Sequence, residues 1–149
     1  MKVLVVYHGW FGNTKKAAIA IAEGLKQAGK VHVECKSVKQ AKAEESVSSD
    51  LLVFGSATHL GNMTGKMRGF IRQLKKFEVR NKKGAAFDTR FAGMKNGALE
   101  KIEKILRDLG MKLVVPGLPV TVSGMRGPLR NEEIEKCKQF GQKLAVALK

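Results

Sequence analysis

KVLVVYHGWFGNTKKAAIAIA, residues Lys2 to Ala22, is the stretch whose reading decides the fold. It opens on a continuous apolar run, Val3-Leu4-Val5-Val6-Tyr7. The run is short and rich in β-branched residues, which predicts a strand buried on both faces. It breaks at His8-Gly9 and Gly12-Asn13, after which Ala17, Ala18, Ile21, Ala22 and Leu25 recur at helical spacing. A strand, a glycine-bearing turn and a helix N-terminus bring backbone N–H groups together where an anion can sit. The first-turn amides have no partner inside the helix, and the helix dipole favours negative charge there. Thr14 adds a hydroxyl. The reading is a phosphate held at Gly9–Thr14; the plain alternative is a strand-to-helix turn that binds nothing. The spacing fits neither a Walker loop nor a GxGxxG fingerprint.

Outward from this stretch the pattern repeats. Val31–Cys35 alternates weakly and predicts a second strand near a sheet edge, after a helix stopped at Gly29. Lys39–Val47 reads as a short polar helix or loop, and Asp50–Gly55 as another buried strand. A loop from Ser56 to Gly65 leads into a helix marked by Met67, Phe70, Ile71 and Leu74. Gly84–Asp88 reads as a short strand, Thr89–Asn96 as a loop and Ala98–Leu109 as a helix ended by Gly110. Lys112–Val115 and Leu118–Val122 form one strand interrupted at Pro116-Gly117. Asn131 is placed as the cap of the last helix, with Glu132 and Glu133 in its first turn. Strand and helix alternate throughout, without linker or repeat. The expectation is one α/β domain over residues 1–149, a three-layer, doubly wound, five-stranded parallel sheet of order 2-1-3-4-5. Ligands of such sheets bind outside the carboxyl ends of the strands, at the switch point. That rule selects three loops without any motif: Gly9–Thr14, Ala57–Thr64 and Thr89–Gly97.

Composition narrows the function classes. Of 149 residues, 28 are Lys or Arg and 13 are Asp or Glu, a net charge of +15. With one Trp and one Tyr, stacking on single strands has little to work with, and no nucleic-acid module appears. Nucleic acid is therefore not the expected partner. The charge is densest from Lys66 to Lys83, either as a solvated helix face or as a docking surface for an acidic protein. Cys35 and Cys137 stand alone, suggesting neither metal nor disulfide. No apolar run reaches membrane-spanning length and no secretory pattern opens the chain, so a cytoplasmic protein without a membrane partner is expected.

Two segments carry a family resemblance. Val6–Thr14 resembles the phosphate loop of the flavodoxins. Phe54–Arg68, with Gly61-Asn62-Met63 before a helix, is similar to the second flavin loop of the flavodoxin-like quinone reductases. The resemblance implies a flavodoxin-like fold, non-covalent FMN, and electron transfer either as a carrier or as a small NAD(P)H-dependent oxidoreductase. It implies that Gly12, Asn13 and Thr14 bind the phosphate, with Gly9, Trp10 and Phe11 in the same loop. Thr58, His59, Leu60, Gly61 and Asn62 would line one side of the flavin. Thr89, Arg90, Phe91 and Gly93 would approach it from the third loop. Gly9 stands where the family usually has Ser or Thr, and Ala57 where Pro is common. Arg90 either faces the phosphate or flavin edge or pairs with Asp88. His59 either serves the flavin as a titratable group or simply packs its ring. Redox partners would be an acidic protein or a small acceptor such as a quinone. The alternative is a flavodoxin-fold module that has lost FMN and holds another anion or an acidic partner on its basic surface.

Overall fold

The computed structural model describes residues 1–124 and 126–149. The elements run β1 (Lys2–His8), α1 (Asn13–Ala28), β2 (His32–Ser37), β3 (Leu51–Ala57), α2 (Gly65–Gln73), β4 (Lys83–Phe91), α3 (Ala98–Asp108), β5 (Lys112–Leu113), β6 (Leu118–Val122) and α4 (Asn131–Ala147). Short 3₁₀ turns at Ala43–Ser46 and Leu74–Lys76 complete the order. Where a short polar helix or loop was expected at Lys39–Val47, the chain forms a loop holding the first of these turns.

All pairings among the named strands are parallel, in the order β2-β1-β3-β4-β5, with β6 also on β4. The expected 2-1-3-4-5 sheet is present, its last strand divided in two. The division falls at Pro116-Gly117, where a Cβ on Gly117 would run into the Leu99 side chain and stand 2.9 Å from the Ala86 carbonyl. β6 pairs with β4 through Phe87–Phe91. That ladder extends β4 beyond the expected end at Asp88, so Thr89, Arg90 and Phe91 belong to a strand rather than a loop.

Alternate residues of the buried strands feed two cores. Val3, Val5, Val53 and Phe87 pack with α1 and α4 residues such as Ile21, Leu25, Phe140 and Leu144. Leu4, Val6, Leu52 and Phe54 pack on the other face with Met67, Ile71, Ile102 and Leu106 of α2 and α3. The period of two along each strand thus fills both sides of the sheet. Met63 and Met67 lie in the second core, as expected of packing residues. Gly55 is opposite Phe87, and a Cβ there would enter the phenyl ring.

The cap of α4 differs from expectation. Arg130 is the extended N-cap, Asn131 is already helical, and no side chain caps the end. Glu132 and Glu133 supply the favourable first-turn charge instead, and Glu133 accepts a hydrogen bond from the Thr121 amide at 2.7 Å. Burial works against that carboxylate, but the Thr121 amide and Lys136 hold it below its ordinary range. No helix among the described residues is long and apolar enough to cross a membrane.

Candidate functional site

The three loops selected by topology meet at the carboxyl end of the sheet, around a cavity of about 310 Å³. Its walls come from each of them: Trp10, Phe11, Asn13 and Thr14 from the first, Thr58, His59 and Leu60 from the second, Thr89, Arg90 and Phe91 from the third. Gly9, Gly12, Gly61, Asn62 and Gly93 shape the loops rather than the wall. Met94 and Val122 also line the cavity and escaped the sequence reading. Val122 enters only because β6 reaches this end beside β4, and Met94 because a turn folds its amide back to the Phe91 carbonyl at 3.3 Å.

The first loop ends on Gly12, which caps α1 at φ 87°, in the left-handed region open to glycine. No side chain caps α1 and its first turn holds no acidic residue. α2, by contrast, is capped by the Thr64 hydroxyl on the Met67 amide. α3 has Glu100 accepting from the Gly97 amide. Among the described residues, the amino end of α1 therefore keeps its dipole and the amides of Thr14 and Lys15 for an incoming anion. Asn13 and Thr14 are buried at this end. The Thr14 and Thr89 hydroxyls are 2.9 Å apart; with Thr89 donating, the Thr14 proton is left for an anion. Gly9 explains itself here: a Cβ on it would stand 2.5 Å from Thr14 Oγ1 and 3.0 Å from Thr14 Cβ. The hydroxyl missing at position 9 gives way to that of Thr14.

The second loop is a tight bend. His59 and Asn62 exchange both backbone hydrogen bonds, at 2.8 and 3.0 Å, across Leu60 (φ 51°) and Gly61 (φ 76°). Two successive positive φ angles mark a type I′ hairpin turn. Leucine in this region costs of order 1 kcal/mol, and Leu60 is 92% exposed, so the turn spends strain to hold an apolar side chain at the cavity mouth. His59 packs edge-to-face on Trp10 with ring centroids 5.3 Å apart. His8 Nδ1 is 2.8 Å from the Thr64 hydroxyl, tying the first loop to the helix that follows the second. Burial first, then the Lys66 ammonium, hold its imidazole below the usual value.

Arg90 takes the second of its two expected roles. Its Nη2 is 2.7 Å from Asp88 Oδ2 and 2.8 Å from Glu100 Oε1. Asp88, fully buried in the middle of β4, also accepts from the Leu99 amide at 2.9 Å and the Thr58 hydroxyl at 3.2 Å. Burial disfavours the Arg90 charge, but Asp88 and Glu100 outweigh it and raise its affinity for the proton. Gly97 completes the knot, since a Cβ there would lie 2.6 Å from Thr58 Oγ1 and 2.7 Å from Asp88 Oδ2. This network fixes the third loop and the wall beneath it.

Trp10, Phe11, Leu60 and Phe91 ring the mouth and are all exposed, at 54, 45, 92 and 45%. An apolar rim of this kind, beside an uncapped helix end, suits a flat aromatic group joined to an anion. The residues present fit FMN: an open cradle above Gly12, where no described residue would lie within 4 Å of a Cβ, for the phosphate, and the aromatic mouth for the ring. Among the described residues no cluster of His, Cys, Asp or Glu could hold a metal.

Comparison with known proteins agrees with this geometry. The chain is 29% identical over 157 residues to a flavodoxin of Clostridium saccharobutylicum, covering all of this chain and 98% of that one. It is 30% identical over 172 residues to an NAD(P)H dehydrogenase (quinone) of Geotalea daltonii, covering 95% and 81%. A solved flavodoxin from the domain Archaea superposes with a TM-score of 0.85 at 26% identity over 99% of both chains. The flavodoxin family profile matches residues 5–140, and the chain belongs to that family.

Proposed function

We propose that this protein binds FMN non-covalently in the cavity between its three loops and passes electrons through it. The observation that carries the reading is the uncapped amino end of α1, with buried Thr14 beside it, opening into an apolar-rimmed cavity. Family membership supports the same cofactor. Bound FMN would supply one- and two-electron chemistry, and the protein its position and electrostatics. The α1 amides and the Thr14 hydroxyl bind the phosphate. Thr58, His59 and Leu60 flank the ring on one side, and Phe91 with Met94 on the other. The Asp88–Arg90–Glu100 network keeps that second wall rigid. Gly9 does not weigh against the cofactor, since Thr14 fills the space a Ser or Thr there would need.

The exposed rim favours exchange with a protein partner. A second reading, direct oxidation of NAD(P)H with a quinone as acceptor, is favoured by the similarity to the Geotalea daltonii protein. Titration of the apo-protein with FMN, read by visible absorption, tests the first claim. Saturable binding weakened at least about tenfold in Thr14→Ala is expected, the loss of one charge-assisted hydrogen bond. Absence of saturation would end it. With the loaded protein, NADPH consumption on adding a quinone alone separates reductase from carrier.

A further inference from the structure

Beside the flavin loops, the segment that follows β2 faces α2 across an open groove of about 580 Å³. Its floor is apolar. Val38 and Ala41 come from the segment, Phe70 and Phe77 from α2 and the turn after it. Its rim is basic. Lys39 and Lys42 stand on one bank, Lys66 and Lys76 on the other, and Glu44 is the single acid, a balance of four positive charges against one. All four lysines are exposed, and none is in an ion pair among the described residues.

That is not the general fate of basic residues in this fold. Lys36 and Lys136 pair with glutamates at 2.7 and 2.9 Å. Lys82 turns its ammonium onto the Val47 and Ser49 carbonyls, and Lys83 onto that of Ala147. The charge of the Lys66–Lys83 stretch is therefore unequally engaged, and the groove gathers an unengaged part of it over an apolar floor.

The shape selects among anionic occupants. Phe70 is only 6% exposed and Phe77 is half-buried, so no pair of open rings is offered for successive bases to stack on. The apolar atoms lie below the lysines, out of reach of a flat bilayer. The end of α2 at the groove is already capped by Thr64, so a lone phosphate finds no amide cradle. A polypeptide segment meets all three conditions: carboxylates reach the rim while an apolar side chain between them reaches the floor. We propose that this groove docks an acidic segment of a partner protein, with at least one Leu- or Val-like side chain seated between Val38 and Phe77. Lys66 lies two residues after Thr64, which His8 holds against the first flavin loop, so a docked partner sits beside the cavity. Only the naming of that partner as a redox partner rests on the function proposed above.

The test is fluorescence anisotropy of a short labelled peptide that alternates Asp and Glu with Leu, using the full chain. Lys39→Glu/Lys42→Glu is compared with Lys101→Glu/Lys104→Glu, which makes the same change in net charge on α3. Expected are saturable, salt-sensitive binding to the unsubstituted protein, a loss of about tenfold in the groove variant, and a change within about twofold in the control. Equal loss in both variants would reduce the effect to net charge and overturn the proposal. So would equal binding of a peptide with Ser in place of Leu, equal competition by a single-stranded oligonucleotide, or no binding at low salt. FMN titration of all three proteins should be unchanged, so failure of the groove and failure of the flavin site are read separately.

Discussion

At position 9 a single missing side chain makes room for Thr14 at the end of the cavity proposed for the phosphate. Thr14 is β-branched and buried, its hydroxyl engaged by Thr89, so it has little freedom to move aside. Gly9→Ser, though it restores the residue type common in the family, should therefore destabilise by about 1–3 kcal/mol and weaken FMN binding. Thermal melts and flavin titration of that variant check both; unchanged values would show that Thr14 yields easily. His8 makes a different prediction. An imidazole ordinarily titrates near 6.5, and in this fold burial and Lys66 hold it lower. The unfolded chain therefore takes up a proton that the folded one resists. The stability His8 contributes is complete above about pH 6.5 and lost as pH falls through its folded value. Melting temperatures from about pH 7.5 down to 5 should fall more steeply for the unsubstituted protein than for His8→Gln. Parallel slopes would mean that His8 does not titrate with folding. Sequence alone offered Arg90 as a candidate, with Asp88 as its alternative partner, and gave His8 no role in the site. It could not supply Thr64 or Glu100 as their partners, because those contacts are made only once separate elements are brought together.

Helices are set by their glycines as much as by their apolar stripes. α1 and α4 touch backbone to backbone: a Cβ on Gly24 would meet the Lys138 carbonyl, and one on Gly141 the Ile21 carbonyl. Adding a methyl at either place must push the helices apart, and α1 carries the amides proposed to hold the phosphate. Gly24→Ala should cost about 1–3 kcal/mol. Gly69, within α2, has nothing within 4 Å of a built Cβ, so Gly69→Ala should gain about 0.5–1 kcal/mol. Chemical denaturation of the two variants should give opposite signs; the same sign for both would contradict the packing described. The apolar stripes of α1 and α3 were legible because local periodicity reports burial. Two element boundaries were not. The end of β4 depends on pairing with β6, some thirty residues further on. The cap of α4 falls to Arg130 although Asn131 is the better capping residue, and Glu132 and Glu133 supply that end with favourable charge.

Across the whole molecule, the alternation of strand and helix decided the sheet order, and the sheet order chose the three loops. Topology thus located the cavity before any motif was needed, and the structure brings residues of all three loops to its wall. Met94 and Val122 completed that wall unannounced, since neither residue type marks a site and one lies on a strand. The sequence placed the densest part of the +15 charge at Lys66 to Lys83; in the fold Lys66 and Lys76 of that stretch join Lys39 and Lys42 over the groove next to α2, beside the cavity. The central claim concerns the anion at the start of α1, and parallel titrations with FMN and riboflavin isolate it, since the two ligands differ by the phosphate alone. Two or more charge-assisted hydrogen bonds to that phosphate predict tighter binding of FMN by about a hundredfold or more. Riboflavin binding as tightly as FMN, or neither ligand binding, would contradict it.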